Sequence, residues 1–147
     1  DLILVTGAIR DDGTSATYVP AQFPAVADPT LLAACVRSAR ERGLRHHVGL
    51  CRSHDALYLE PEYDTSGEWS KKGVLGADME TATLLTVAAI RGMKAASILN
   101  NVVLWGSDTA ESIGSYADGA SLTAQGEQDE ITVALEAFLR MEKGETL

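Results

Sequence analysis

Residues 73–92, Gly-Val-Leu-Gly-Ala-Asp-Met-Glu-Thr-Ala-Thr-Leu-Leu-Thr-Val-Ala-Ala-Ile-Arg-Gly, constrain the fold more than any other stretch. Residues 74–77 are apolar or small and bounded by glycine, the pattern of a buried central strand. Residues 81–91 are apolar on nearly all sides, with threonine as almost the only polarity, so they predict a helix buried on most faces. Asp78 and Glu80 are thereby set at a strand end and a helix start inside the fold. Carboxylates are seldom buried without partners, and the free N–H groups and positive dipole end of a helix supply part of the compensation. Two readings follow from pattern alone. Asp78 caps the helix and Glu80 lies in its first turn. Alternatively, one carboxylate faces a pocket and grips vicinal hydroxyls through two accepted hydrogen bonds.

The rest of the chain supplies a frame for that stretch. Residues 2–6 predict a first strand, and 7–29 a long loop punctuated by Gly, Pro, Asp and Ser. A helix starts at Pro29 or Thr30 and runs to about Arg42, with Gly43 ending it. Residues 46–51 predict a strand and 52–67 a loop, with a helical turn over 68–72 leading into the central stretch. Gly92 closes the central helix. Residues 95–104 predict an apolar strand, 106–119 a loop, and 127–141 a last helix packing through Ile131, Ala134, Leu135 and Phe138. This alternation predicts an α/β fold with a mixed central sheet flanked by helices. Ligands bind such sheets beyond the carboxyl ends of the strands, where the loops after Thr6, Cys51, Ala77 and Asn101 are expected to converge.

Composition narrows the function. The 147 residues suffice for one domain, and 21 acidic against 12 basic side chains give a net charge of −9. Nucleic acid as a general partner is excluded by that balance, because phosphate neutralisation needs clustered Lys and Arg. Nothing has the length of a membrane span, about 20 apolar residues. Cys35 and Cys51 are too few for a disulfide scaffold, and a reduced, cytoplasmic protein is the expectation. The His/Cys spacing suits no metal, and neither a dinucleotide fingerprint nor a P-loop occurs. With no nucleophile elbow, any chemistry rests on positioning and electrostatics. The chain also opens at Asp1, directly on an apolar strand, which predicts a piece of a longer polypeptide.

Two segments carry a family resemblance. Gly7-Ala8-Ile9-Arg10-Asp11-Asp12-Gly13-Thr14-Ser15, with Tyr18-Val19-Pro20 and Phe23-Pro24-Ala25 after it, resembles the nucleoside phosphorylase superfamily. Asp78-Met79-Glu80-Thr81-Ala82-Thr83-Leu84-Leu85 is similar to that family's ribose-binding signature, two acidic residues flanking methionine. Val48-Gly49, Ser53-His54-Asp55 and Tyr63-Asp64 resemble the uridine phosphorylase branch in order and spacing.

The resemblance implies a mixed sheet flanked by helices, a homo-oligomer (dimer or hexamer) and a role in nucleoside catabolism and nucleotide salvage. It implies reversible phosphorolysis of a ribonucleoside, with uridine expected, to free base and ribose 1-phosphate. Inorganic phosphate is the co-substrate, with no cofactor and no metal. Carried over by residue, Glu80 accepts the ribose hydroxyls as the catalytic carboxylate, Met79 packs on the sugar, and Asp78 stands beside them. Leu57 takes the place of the base-stacking residue, and Glu60 lies on the base-facing loop. Val102 and Val103 resemble the apolar pair lining a pyrimidine pocket. The whole of 1–147 matches the C-terminal part of the family's single domain. The phosphate site belongs to the other half, so a companion N-terminal polypeptide is implied. Alternatives are an inactive nucleoside-binding module, a purine nucleoside phosphorylase and a nucleoside hydrolase.

Overall fold

The structure is a computed structural model that describes residues 1–104, 106–107, 109–117 and 121–145. Its elements in chain order are β1 (Leu2–Asp11), α1 (Gly13–Tyr18), β2 (Ala25–Val26), α2 (Pro29–Glu41) and β3 (His46–His54). A short 3-10 turn (Pro61–Tyr63) precedes α3 (Ser66–Lys71), β4 (Val74–Asp78), α4 (Thr81–Ile90), β5 (Ser97–Asn100), α5 (Thr109–Ala117) and α6 (Ser121–Glu142). The sheet is mixed, as the alternating pattern predicts. β1 is parallel to β3 and β3 to β4, while β2 and β5 share the other edge of β1, both antiparallel to it.

The long β1 explains most of the core. Leu2 and Leu4 face α2 and α6, meeting Leu31, Ala34, Cys35 and Ala39 from α2 and Val133 and Ala137 from α6. Ile3 and Val5 face the opposite side with Cys51, and α4 closes that side through Ala82 and Leu85 against Ala25 and Ala27. Pro29 opens α2 with its fixed φ, and the Asp28 side chain accepts from Leu31 N at 2.8 Å, a matched start signal. Gly92 follows α4 at φ 65°, a conformation that costs other residues more.

Several expected boundaries move. Residues 7–29 are not one loop. β1 continues to Asp11, and α1 follows because the Asp12 side chain accepts from Ser15 N at 2.9 Å and caps it. The expected loop over 106–119 likewise holds α5, and positions 108, 118 and 119 lie outside the described residues. The strand expected over 95–104 shortens to β5. β4 is the edge of the sheet among the described residues, with alternate residues exposed, rather than a central strand. α4 buries Thr81, Ala82, Leu85, Thr86 and Ala88 but leaves Leu84 and Ile90 exposed, so one side of it is open.

The last helix packs on a different face from the one its large residues mark. Val133 and Ala137 are buried, while Ile131, Leu135 and Phe138 are exposed. Small residues let α6 lie close to β5. At Gly126 an added Cβ would come within 2.1 Å of the Asn100 amide oxygen, so no side chain fits there.

Candidate functional site

The parallel set β1, β3 and β4 sends its carboxyl ends to one pole of the sheet. Arg10 pairs with Ser53 and Ser53 with Asp78, so these three side chains stand in one row across three strands. A strand side chain shares its face with its directly paired neighbour. The row therefore lies on the face that α4 covers.

Asp78 is fully engaged at this row. One carboxylate oxygen accepts from Ser53 Oγ at 2.5 Å and the other from Thr81 N at 2.8 Å. Ser53 Oγ in turn accepts from Ala82 N at 2.8 Å. Two orphan amides of the α4 start are thus satisfied by side chains from two different strands. The Asp78 charge reaches Cys51 as well. Burial first, and that charge second, push the Cys51 thiol up to about 12.

Glu80 is placed differently. It occupies the N-cap position of α4 with φ −128° and ψ −33°, and its side chain makes no capping bond. It is exposed, and its contact among these bonds is an acceptance from the neighbouring Met79 N at 3.1 Å. Met79 beside it is exposed too. An exposed carboxylate at a helix start, engaged through one oxygen by a single backbone amide, keeps acceptor capacity for a pair of vicinal hydroxyls.

Leu57 and Glu60 lie on the segment after β3, at the same pole, and both are exposed. Val102 and Val103 are not brought to them. β5 runs antiparallel to β1, with Asn100 opposite Leu2, and Asn101 N donates to Asp1 O at 3.4 Å. The residues that follow β5 therefore leave from the opposite pole. The expected convergence of four loops holds for those after β1, β3 and β4, and fails for the one after β5. A groove of about 230 Å³ between α2, β5 and α6, lined by Leu31, Cys35, Ile98, Ile131 and Phe138, is also separate from Glu80.

Around the pole, among the described residues, both arginines are committed. Arg10 donates to Ser15 Oγ at 3.0 Å and to the carbonyls of Ser15, Val19, Pro20 and Phe23 at 2.7 to 3.1 Å. A guanidinium has five N–H donors, and all five are used here to fold the 13–24 segment. Arg52 is buried, paired with Asp11 at 2.5 Å and set 5.8 Å from the Trp69 ring centre. Asp12 accepts from Ser15 Oγ, from Ser15 N and from Thr83 Oγ1 at 3.0 Å, tying α1 to α4. Burial pushes its carboxyl up, but these bonds outweigh burial and hold it below the usual range.

Ser53, Arg10, Asp12 and Thr83 were not marked as site residues by pattern. The signals are faint: a serine two residues after a buried cysteine, and an aspartate before Gly-Thr-Ser. Among the described residues, no group of three or more metal-ligating side chains gathers.

A family model described as the phosphorylase superfamily matches residues 1–132. The chain belongs to the phosphorylase superfamily. This bears out the resemblance carried by 7–15 and 78–85. The chain is 38% identical to the uridine phosphorylase of Klebsiella aerogenes over 116 residues, which is 70% of this chain and 46% of that protein. It is 34% identical to the guanosine phosphorylase of Halorubrum lacusprofundi over 98 residues, 67% of this chain and 40% of that protein. The solved uridine phosphorylase of Vibrio fischeri ES114 superposes with a TM-score of 0.81 at 38% identity, over 95% of this chain and 56% of that one. The mixed α/β sheet is thus the fold of this family. The chain spans about half the length of the curated relatives it matches.

Proposed function

We propose that this chain is the sugar-cradling part of a nucleoside phosphorylase, with uridine as the first substrate to test. The observation that carries the reading is the unequal fate of two neighbouring carboxylates. Asp78 is consumed in fixing α4, and Glu80 is left facing outward at the strand pole, inside the family's ribose-binding pattern. In the reaction, the bond from the sugar C1′ to the base nitrogen breaks and its electron pair leaves with the base. A phosphate oxygen then bonds to C1′. The ribosyl group between them carries positive charge, so a site that orients sugar, phosphate and base needs no protein nucleophile. Glu80 accepts the 2′ and 3′ hydroxyls, Met79 packs on the sugar, and Leu57 lies against the base. Inorganic phosphate is the co-substrate, with no cofactor.

Phosphate must be held by groups beyond those described. Arg10 and Arg52, the guanidinium groups at this pole, are bound within the fold, and their neighbours Asp11, Asp12, Asp55 and Asp78 repel an anion. The sheet also has an unfinished side. Val26, Val48 and Leu50 share one face with Leu4 and are 56%, 44% and 43% exposed, while Leu4 is sealed. A companion N-terminal polypeptide covering this face and the free edge of β4 would supply the phosphate donors. The complete protein is then a cytoplasmic homo-oligomer, dimer or hexamer, acting in nucleoside salvage.

A guanosine-type reading has one observation in its favour. Glu60 puts a carboxylate on the loop expected to face the base, where it can accept from the paired N–H donors of guanine. Val102 and Val103, which would favour a pyrimidine, leave from the other pole. The test is phosphate-dependent base release from uridine, guanosine and inosine by the complete protein. Release independent of phosphate would instead mean a hydrolase, and saturable binding without release a binding module.

A further inference from the structure

We propose that Ser53 is a positioning residue for Glu80. This rests on the phosphorylase reading above and adds a residue to it.

Among the described residues Glu80 has no side-chain anchor beyond Met79 N, so its aim is set by the backbone that carries it. That backbone is pinned on both sides by one hydroxyl. Ser53 Oγ donates to Asp78 Oδ1 at 2.5 Å, two residues before Glu80, and accepts from Ala82 N at 2.8 Å, two residues after it. Asp78 Oδ2 closes the figure on Thr81 N at 2.8 Å. Ser53 is fully buried and is the direct sheet partner of Asp78, so its position is fixed by β3. The hydroxyl uses its donor and an acceptor lone pair on opposite sides of the Met79-Glu80 turn. Asp78 is by the same geometry a support for the turn, each of its oxygens accepting one hydrogen bond from the groups that fix α4.

Removing the hydroxyl leaves the Glu80 carboxylate intact but frees the turn that aims it. A small misplacement of a transition-state contact is costly, because orientation is where much of the catalysis lies. The expected result is a fall in kcat/KM of about ten-fold for Ser53→Ala, mostly in kcat. Hydrogen exchange at the Thr81 and Ala82 amides should rise with β1 and β3 amides unchanged.

The deciding experiment is a double-mutant cycle in the complete phosphorylase, with Glu80→Gln as the second change. If Ser53 acts through Glu80, Ser53→Ala costs little once Glu80→Gln is present. A cost in kcat/KM that multiplies undiminished with that of Glu80→Gln overturns the proposal, as does wild-type kcat in Ser53→Ala. Should Ser53→Ala not fold, Asp78→Asn replaces it in the cycle with the same expectations, because it weakens the same turn. Unsubstituted protein that releases no base from nucleosides brings down the parent reading, and this inference with it. Active wild-type protein with an indifferent Ser53→Ala brings down this inference alone.

Discussion

The carboxyl pole of the sheet and the middle of its α2/α6 face are built on opposite terms. At the pole, buried and half-buried polar groups are mostly matched: Asp12 with Ser15 and Thr83, Asp78 with Ser53 and Thr81, Arg10 with a hydroxyl and four carbonyls, while the buried His54 Nδ1 stands without a partner among the described residues. On the face, apolar groups lie open: Val26, Val48 and Leu50, with Leu75 of β4 close by at the free edge. Matched buried polar groups specify a local geometry that needs no outside help. An open apolar patch beside an unpaired strand edge requires a cover, since such surfaces drive association. The chain is thus closely matched around the turn that carries Glu80 and open on the face that the proposed companion segment would cover.

The sharpest way to break this contrast is to isolate the chain. Residues 1–147 alone should show no phosphate-dependent cleavage of uridine and should self-associate. Size-exclusion chromatography and base release read both. A monodisperse, cooperatively unfolding species that turns over uridine by itself would erase the distinction between the two regions.

Leu4 and Val48 test the face directly, since they are paired neighbours on it with opposite burial. In the complete protein, Leu4→Ala should cost about 2–5 kcal/mol by denaturant unfolding, the range for emptying a packed core site. Val48→Ala should cost a comparable fraction only if a partner segment covers it. If nothing covers it, its cost in the complete protein should stay under about 0.5 kcal/mol, the surface range. A cost in that surface range would mean that nothing docks there.

At the pole, Glu80→Gln should leave the fold unchanged and lower kcat/KM by about 10²-fold, roughly 2.7 kcal/mol of transition-state stabilisation. Unchanged kinetics would remove Glu80 from the site and leave it a surface carboxylate at the N-cap position of α4.

Asp12→Asn probes the matched polar network by stability. Asparagine can still cap α1, so what is lost is the charge-assisted part of these bonds, about 1 kcal/mol. The sign with pH follows from a folded pKa held below the unfolded one. The stabilisation is fully present above the unfolded value of about 3.9 and is lost as pH falls through the lower folded value. The gap between wild type and Asp12→Asn should therefore close below about pH 4. A gap that persists there would mean that Asp12 contributes by shape and not by charge.

The smallest effect is chemical. Burial raises Cys35 to about 11 and, with the Asp78 charge added, Cys51 to about 12. Neither thiol should alkylate in the native protein at pH 8, because the thiolate is the reactive form. Rapid native labelling of Cys51 would mean that the α4 side of the sheet opens.

Much of this molecule is written in local pattern. The 73–92 stretch yields a strand, an acidic turn and a helix, because glycine bounds and apolar runs act over a few residues and need no partner to be read. α2 is announced by Asp28-Pro29 at one end and Gly43 at the other for the same reason. The family follows from short motifs in order. Glu80 was legible as a candidate because a carboxylate at a buried helix start calls for an explanation. Tertiary structure alone decided what periodicity could not express. It chose which face of α6 packs, since Val133 and Ala137 win by fitting closely against α2 and β1 although Ile131, Leu135 and Phe138 are larger. It set the direction of β5, and with it the removal of Val102 and Val103 from the Glu80 pole, because strand direction depends on the path of the chain between elements. It also separated Asp78 from Glu80, since only the pairing of β3 with β4 brings the Ser53 hydroxyl to one carboxylate and leaves the other free.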